Sequence, residues 1–117
     1  MADIMIKAAY GSVVEDEGFL FVGFAEGEEE DEGYVLFRQP ADGGPVWFEV
    51  NDEAFGAEDA IDAVKPGPGG LEITLKPSAA ASFGWALSVA VQIDPATEDA
   101  AEALAALADM LGPRWQG

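Results

Sequence analysis

Leu71-Glu72-Ile73-Thr74-Leu75 is the segment on which the reading of this chain turns. A β-strand points successive side chains to opposite faces. A period of two therefore puts Leu71, Ile73 and Leu75 on a buried face and Glu72 and Thr74 on a wet one. A strand with one dry face and one wet face belongs to an antiparallel sheet resting on a core. The same rule can be followed outward in both directions.

Downstream, Pro77 to Phe83 reads as about one helical turn, closed by Gly84. Trp85, Leu87, Val89, Val91 and Ile93 then alternate with Ala86, Ser88, Ala90 and Gln92, which predicts a long strand with the larger residues inward. At Asp94 the period changes. Asp94 suits a helix N-cap, Pro95 the first helical position, and Glu98 and Asp99 the positive end of the helix dipole. Ala100, Leu104, Leu107 and Leu111 form one stripe, and Gly112-Pro113 is a stop. A helix over about 95–111, packed on the sheet, is expected.

Upstream, Lys65 to Gly70 is a turn-forming break. Residues 51–64 offer a turn at Asn51-Asp52-Glu53 and, at Ala60–Val64, either a brief edge strand or half a helix, of which the strand is the favoured reading. Val46, Phe48 and Val50 face inward and Trp47 and Glu49 outward. Their strand pairs with Tyr34–Arg38 as an antiparallel hairpin across the turn at Pro40–Gly44. The acidic loop 26–33 crowds carboxylates that the chain's few cations cannot neutralise, so it is expected to be solvated. Phe19 to Phe24 is apolar on both faces and reads as a central strand covered on both sides. Ile4, Ile6, Ala8 and Tyr10 share one face of a first strand that ends at Gly11-Ser12.

The 117 residues thus predict a single domain, 1–117, of α+β class and mainly antiparallel β. The expected form is a six- or seven-stranded rolled sheet or sandwich with one C-terminal helix packed on it. The expected core is Phe19, Phe21, Val22, Leu36, Phe48, Val50, Leu71, Ile73, Leu75, Leu87, Val89, Val91, Leu104 and Leu107.

Charge bears most on function. The chain carries 23 carboxylates against five cations, a net −18. Residues 1–62 hold 17 acids and two bases, net −15; residues 63–117 hold six acids and three bases, net −3. Such a surface repels nucleic-acid backbones and anionic lipid and attracts a basic partner. The competing reading is that the acidity serves solubility or a salty cytoplasm. Histidine and cysteine are both absent, which removes the commonest general base, the commonest transition-metal ligand and every thiol nucleophile.

The acidic run lacks the ligand spacing of a dedicated Ca²⁺ loop. Gly67-Pro68-Gly69-Gly70 precedes a strand and lacks the lysine of a phosphate cradle. Asp52, Glu53, Glu58, Asp59 and Asp62 could flank a cleft as paired carboxylates do in glycosidases, but in so acidic a chain such proximity arises by chance. No catalytic residue, metal ligand or cofactor is assigned, and the chain is read as no enzyme. Without a run of ~20 apolar residues or a secretory pattern, the expected location is cytoplasmic. Trp47, outward beside Glu49, suits a binding hot spot; packing beneath residues 51–64 is the equal alternative.

Tyr34-Val35-Leu36-Phe37-Arg38-Gln39, then Val46-Trp47-Phe48-Glu49-Val50-Asn51-Asp52-Glu53, a link containing Gly56, and Leu71 to Leu75 together resemble the immunity protein 10 family. Those are small, mostly β proteins of bacterial polymorphic-toxin systems. The likeness covers about residues 18–111 and rests on hydrophobic positions plus Glu49, Asn51, Asp52 and Gly56, with Glu53 standing where an amide is frequent. It implies a protein that binds and neutralises a cognate toxin without catalysis. The candidate partner-binding set is Trp47, Glu49, Asn51, Asp52, Glu53, Glu58 and Asp59, and the expected partner is a basic protein toxin. The alternative is an acidic structural or oligomeric protein, a homodimer among the options, with no toxin partner.

Overall fold

The computed structural model describes residues 3–27, 29 and 32–117. Within them nine strands form two sheets. One is a five-stranded antiparallel meander in chain order: β2 (Tyr10–Asp16), β3 (Phe19–Ala25), β4 (Tyr34–Pro40), β5 (Trp47–Val50) and β6 (Asp52–Glu58). The other contains the antiparallel run β7 (Ile61–Gly67), β8 (Gly70–Leu75) and β9 (Ser88–Gln92). Here β1 (Ile4–Lys7) lies parallel to β9 at the edge. The helix α1 (Ala100–Leu111) packs on β2 and β3. The architecture is mostly antiparallel β with one C-terminal helix, as the periodicity predicts.

The expected six or seven strands become nine because two stretches each hold one more than their sequence suggests. The first segment does not end at Gly11-Ser12. It changes sheets: Ala8 N–H donates to Gln92 in one sheet at 2.9 Å, and Ala9 N–H to Ala25 in the other at 2.7 Å. Gly11 and Ser12 then continue as β2. Residues 51–64 hold β6 and the start of β7. Asn51 (φ 66°) turns β5 into β6, and Asp59 (φ 55°) turns the chain from one sheet to the other. Both sit in the left-handed region that aspartate and asparagine tolerate best among non-glycine residues. The break at Lys65–Gly70 is a hairpin whose turn is only Pro68-Gly69. At Gly70 (φ 138°) any β-carbon would run into the Val91 carbonyl.

The β8 reading holds fully: Leu71, Ile73 and Leu75 are buried and Glu72 and Thr74 exposed. With Val22, Phe24, Val35, Phe37, Phe48 and Val50 from the meander, they make one core. Phe37 and Phe48 stack with centroids 4.9 Å apart, and Phe83 of the 3₁₀ helix Pro77–Phe83 meets Phe48 at 5.6 Å. Gly84 closes that helix at φ 63°.

Three expectations are corrected. Phe19, Phe21 and Leu36 are only half-buried and lie outside the core, because register puts Val22, Phe37 and Phe48 on the inner row and sends their chain neighbours outward. No layer covers that outer face among the described residues. Trp85 and Leu87 precede β9 and are 76% and 46% exposed; Trp85 has φ 68° and Ala86 takes the buried position. The helix begins at Ala100, not Pro95. Asp94 Oδ1 accepts from Ala96 N–H at 2.8 Å, and Thr97 Oγ1 donates to Ala8 at 3.0 Å. Backbone bonds of Glu98 to Ala9 and Gly11 then hold this stretch against β2. The buried stripe is accordingly Ala103, Leu107, Met110 and Leu111, with Ala100 and Leu104 half-buried. Gly112-Pro113 ends the helix.

Candidate interface on the five-stranded sheet

Because side chains alternate along each strand, the core residues of the meander fix what the other face shows. Directly opposed residues on that face form rows across the sheet. One row is Val14, Phe21, Arg38, Trp47 and Glu58; the next is Ser12, Gly23, Leu36, Glu49 and Gly56. Asp16 stands opposite Phe19 at the hairpin end. The face therefore carries Phe21, Leu36 and Trp47 around the single cation Arg38 in its middle, with Asp16 and Glu58 at its margins.

Four contacts fix its centre. Arg38 places its guanidinium carbon 5.2 Å from the Trp47 ring centroid and 5.4 Å from that of Phe19, a cation held between two π faces. Trp47 donates its Nε1–H to Glu49 Oε1 at 2.7 Å. The hydroxyl of Tyr34 donates to the other oxygen of Glu49. Glu49 is 7% exposed, the one buried carboxylate among the described residues, and both its oxygens are occupied. A buried charge persists when hydrogen bonds replace its lost water, so Glu49 acts as a clamp on two aromatic rings. Burial first, and then the bond to Glu49, push the Tyr34 phenol well above its ordinary value of 10.0. Gly56 sits beneath the indole of Trp47, where any β-carbon would strike the ring. Trp47 thus packs on β6, with Arg38 over its ring, and is half-buried.

At the far end of the face a groove of about 340 Å³ is floored by Gly23 and flanked by Tyr10, Tyr34, Leu36, Glu29 and Glu32. Glu26, expected in a purely solvated loop, instead accepts backbone N–H bonds from Lys7 at 2.9 Å and Gly33 at 3.3 Å. Glu28, Glu30 and Asp31 of that loop lie outside the described residues.

The seven candidate residues fall into three places. Trp47, Glu49 and Glu58 share the outer face. Asn51, Asp52 and Glu53 sit at the β5–β6 turn, where Asn51 Oδ1 accepts from Tyr34 N–H at 3.0 Å and Asp52 Oδ1 from Ala54 N–H at 2.8 Å. Asp59, at the sheet crossover, pairs with Lys76 at 3.0 Å and Arg114 at 3.7 Å. Among the described residues no three carboxylates gather as a metal site would require.

Arg38, Phe19, Phe21 and Val14 complete the face and were not in the candidate set. Their signal was available: β3 is apolar on both faces, and Arg38 is one of only two cations in the first 62 residues. The exposed Trp85 had no such signal, since its alternation matched the strand that follows.

No helix among the described residues is long and apolar enough to cross a membrane. A scan against family models and searches of curated proteins and solved structures find no match to this chain.

Proposed function

We propose that this chain is a non-catalytic binding protein for a basic protein partner, and that it acts in the cytoplasm as an immunity protein, neutralising a toxin by occluding it. One observation carries the binding reading. The one buried carboxylate described, Glu49, holds Trp47 and Tyr34 at an open aromatic face instead of facing a cleft with a free oxygen. A general acid or base needs an oxygen within reach of substrate, and both of these are engaged. The net −18 adds long-range attraction for a basic protein. The resemblance of residues 18–111 to immunity proteins supplies the partner's class. The test is genetic. The toxin gene expected beside this one should arrest growth when expressed alone, and co-expression should restore it. Absence of a toxin neighbour, or of any protection, would remove the immunity reading.

Salt adaptation is the second reading, favoured by the sparse pairing of the acids. Of the described carboxylates, Asp59 alone lies within ion-pair distance of a cationic side chain. A fold that unfolds at low ionic strength and protects against no toxin would select it.

A further inference from the structure

We infer that the outer face of the five-stranded sheet is the docking surface, and that it takes a basic protein surface whose apolar centre is ringed by lysine and arginine. This rests on the binding reading above and adds where the contact falls. Interfaces that work combine a desolvated aromatic or aliphatic centre with a polar rim, and anchors are enriched in Trp, Tyr and Arg. This face has that plan: Phe19, Phe21 and Leu36 lie outside the core, yet no layer covers them among the described residues. Trp47 and Arg38 are already held in place by Glu49, Gly56 and stacking, so little side-chain freedom is lost on docking.

Charge selects the occupant. Asp16 and Glu58 stand at the ends of the rows, and Glu29 and Glu32 line the groove at the other end. The outer face of the four-stranded sheet is the reverse case. Its rows run Met5, Ala90, Glu72, Lys65 and Lys7, Gln92, Gly70, Gly67: small or polar residues apart from the exposed Met5 at one edge, with two of the chain's five cations. A second copy of this chain would bring another −18 to the contact. A basic partner gains from the same charge that a second copy must overcome.

The experiment uses two strand-length peptides, one alternating arginine with leucine, the other arginine with serine, titrated at low salt and followed by amide chemical shifts. The leucine peptide should bind about tenfold more tightly, with shifts on the outer rows of β2 to β6. Phe21→Ser and Val14→Ser should erase that ratio, while Met5→Ser on the opposite sheet should keep it. Val14 is 50% exposed, so its variant folds even if Phe21→Ser does not. Equal binding of both peptides, or a ratio that survives both variants, overturns the assignment of this face and leaves the acidic attraction standing. Binding of neither peptide overturns the partner reading as well. A dimer in sedimentation that Val14→Ser dissociates would give the face to a second copy and overturn the proposal.

Discussion

Gly11 and Ala103 touch so closely that a β-carbon on Gly11 would lie 2.9 Å from the Ala103 methyl. This pair, glycine on β2 and alanine on α1, sets how near the helix comes to the sheet. Gly11→Ala should cost ~1–3 kcal/mol through overpacking, seen as a lower urea midpoint with unchanged slope. Adding Ala103→Gly should recover part of it, less ~1 kcal/mol for glycine inside a helix. A Gly11→Ala protein as stable as the parent would mean the helix is not seated there.

Ile73→Ala should cost ~2–5 kcal/mol, since Ile73 is fully buried at the centre of β8. Denaturant unfolding gives the figure, and a loss within ~0.5 kcal/mol would place Ile73 at the surface.

Sequence periodicity made the buried sides of β8 and β9 and the β4–β5 hairpin readable, because half-wet strands advertise their inward face. It gave the wrong faces for Phe19, Phe21 and Leu36. In β3 both faces are apolar, so alternation is silent and only pairing to Phe37 and Phe48 decides the phase. Trp47 and Glu49 were legible as an outward pair. Their link through Tyr34, fifteen residues from Glu49 in sequence, was not, because it depends on strand register.

Tyr34 gives a pH signature. Its folded pKa is raised, so the folded state keeps the phenol proton at pH values where the unfolded chain, near 10.0, has lost it. The unfolded state then binds fewer protons, and stability falls as pH rises. The contribution is whole below about pH 10 and is lost progressively above it. Tyr34→Phe should flatten that alkaline fall. In Tyr10→Phe, whose remaining tyrosine is Tyr34, tyrosinate absorbance should appear only well above pH ~10. Ordinary titration there would mean that the Tyr34–Glu49 bond is absent.

Salt should stabilise the fold. With net −18 and little ion pairing, compaction brings like charges together, and screening relieves this. The melting temperature should rise from low salt to molar KCl. A flat response would show that the carboxylates are spaced widely enough not to repel.

Trp85→Gly should leave stability unchanged or slightly higher. The indole is 76% exposed and its backbone lies at φ 68°, where glycine is unstrained. Calorimetry would decide, and a loss above ~1 kcal/mol would mean that the indole packs on its surroundings.

The pairing of β1 with β9 joins Ile4 to Val89, whereas each strand of the meander pairs with its immediate successor. During synthesis the meander can close on itself as it leaves the ribosome, each hairpin needing only a short loop. The first strand has no such neighbour. Its only strand partner lies far along the chain, so the ordering of β1, with its apolar Ile4 and Ile6, depends on residues 88–92 and closes the longest-range pairing of the two sheets.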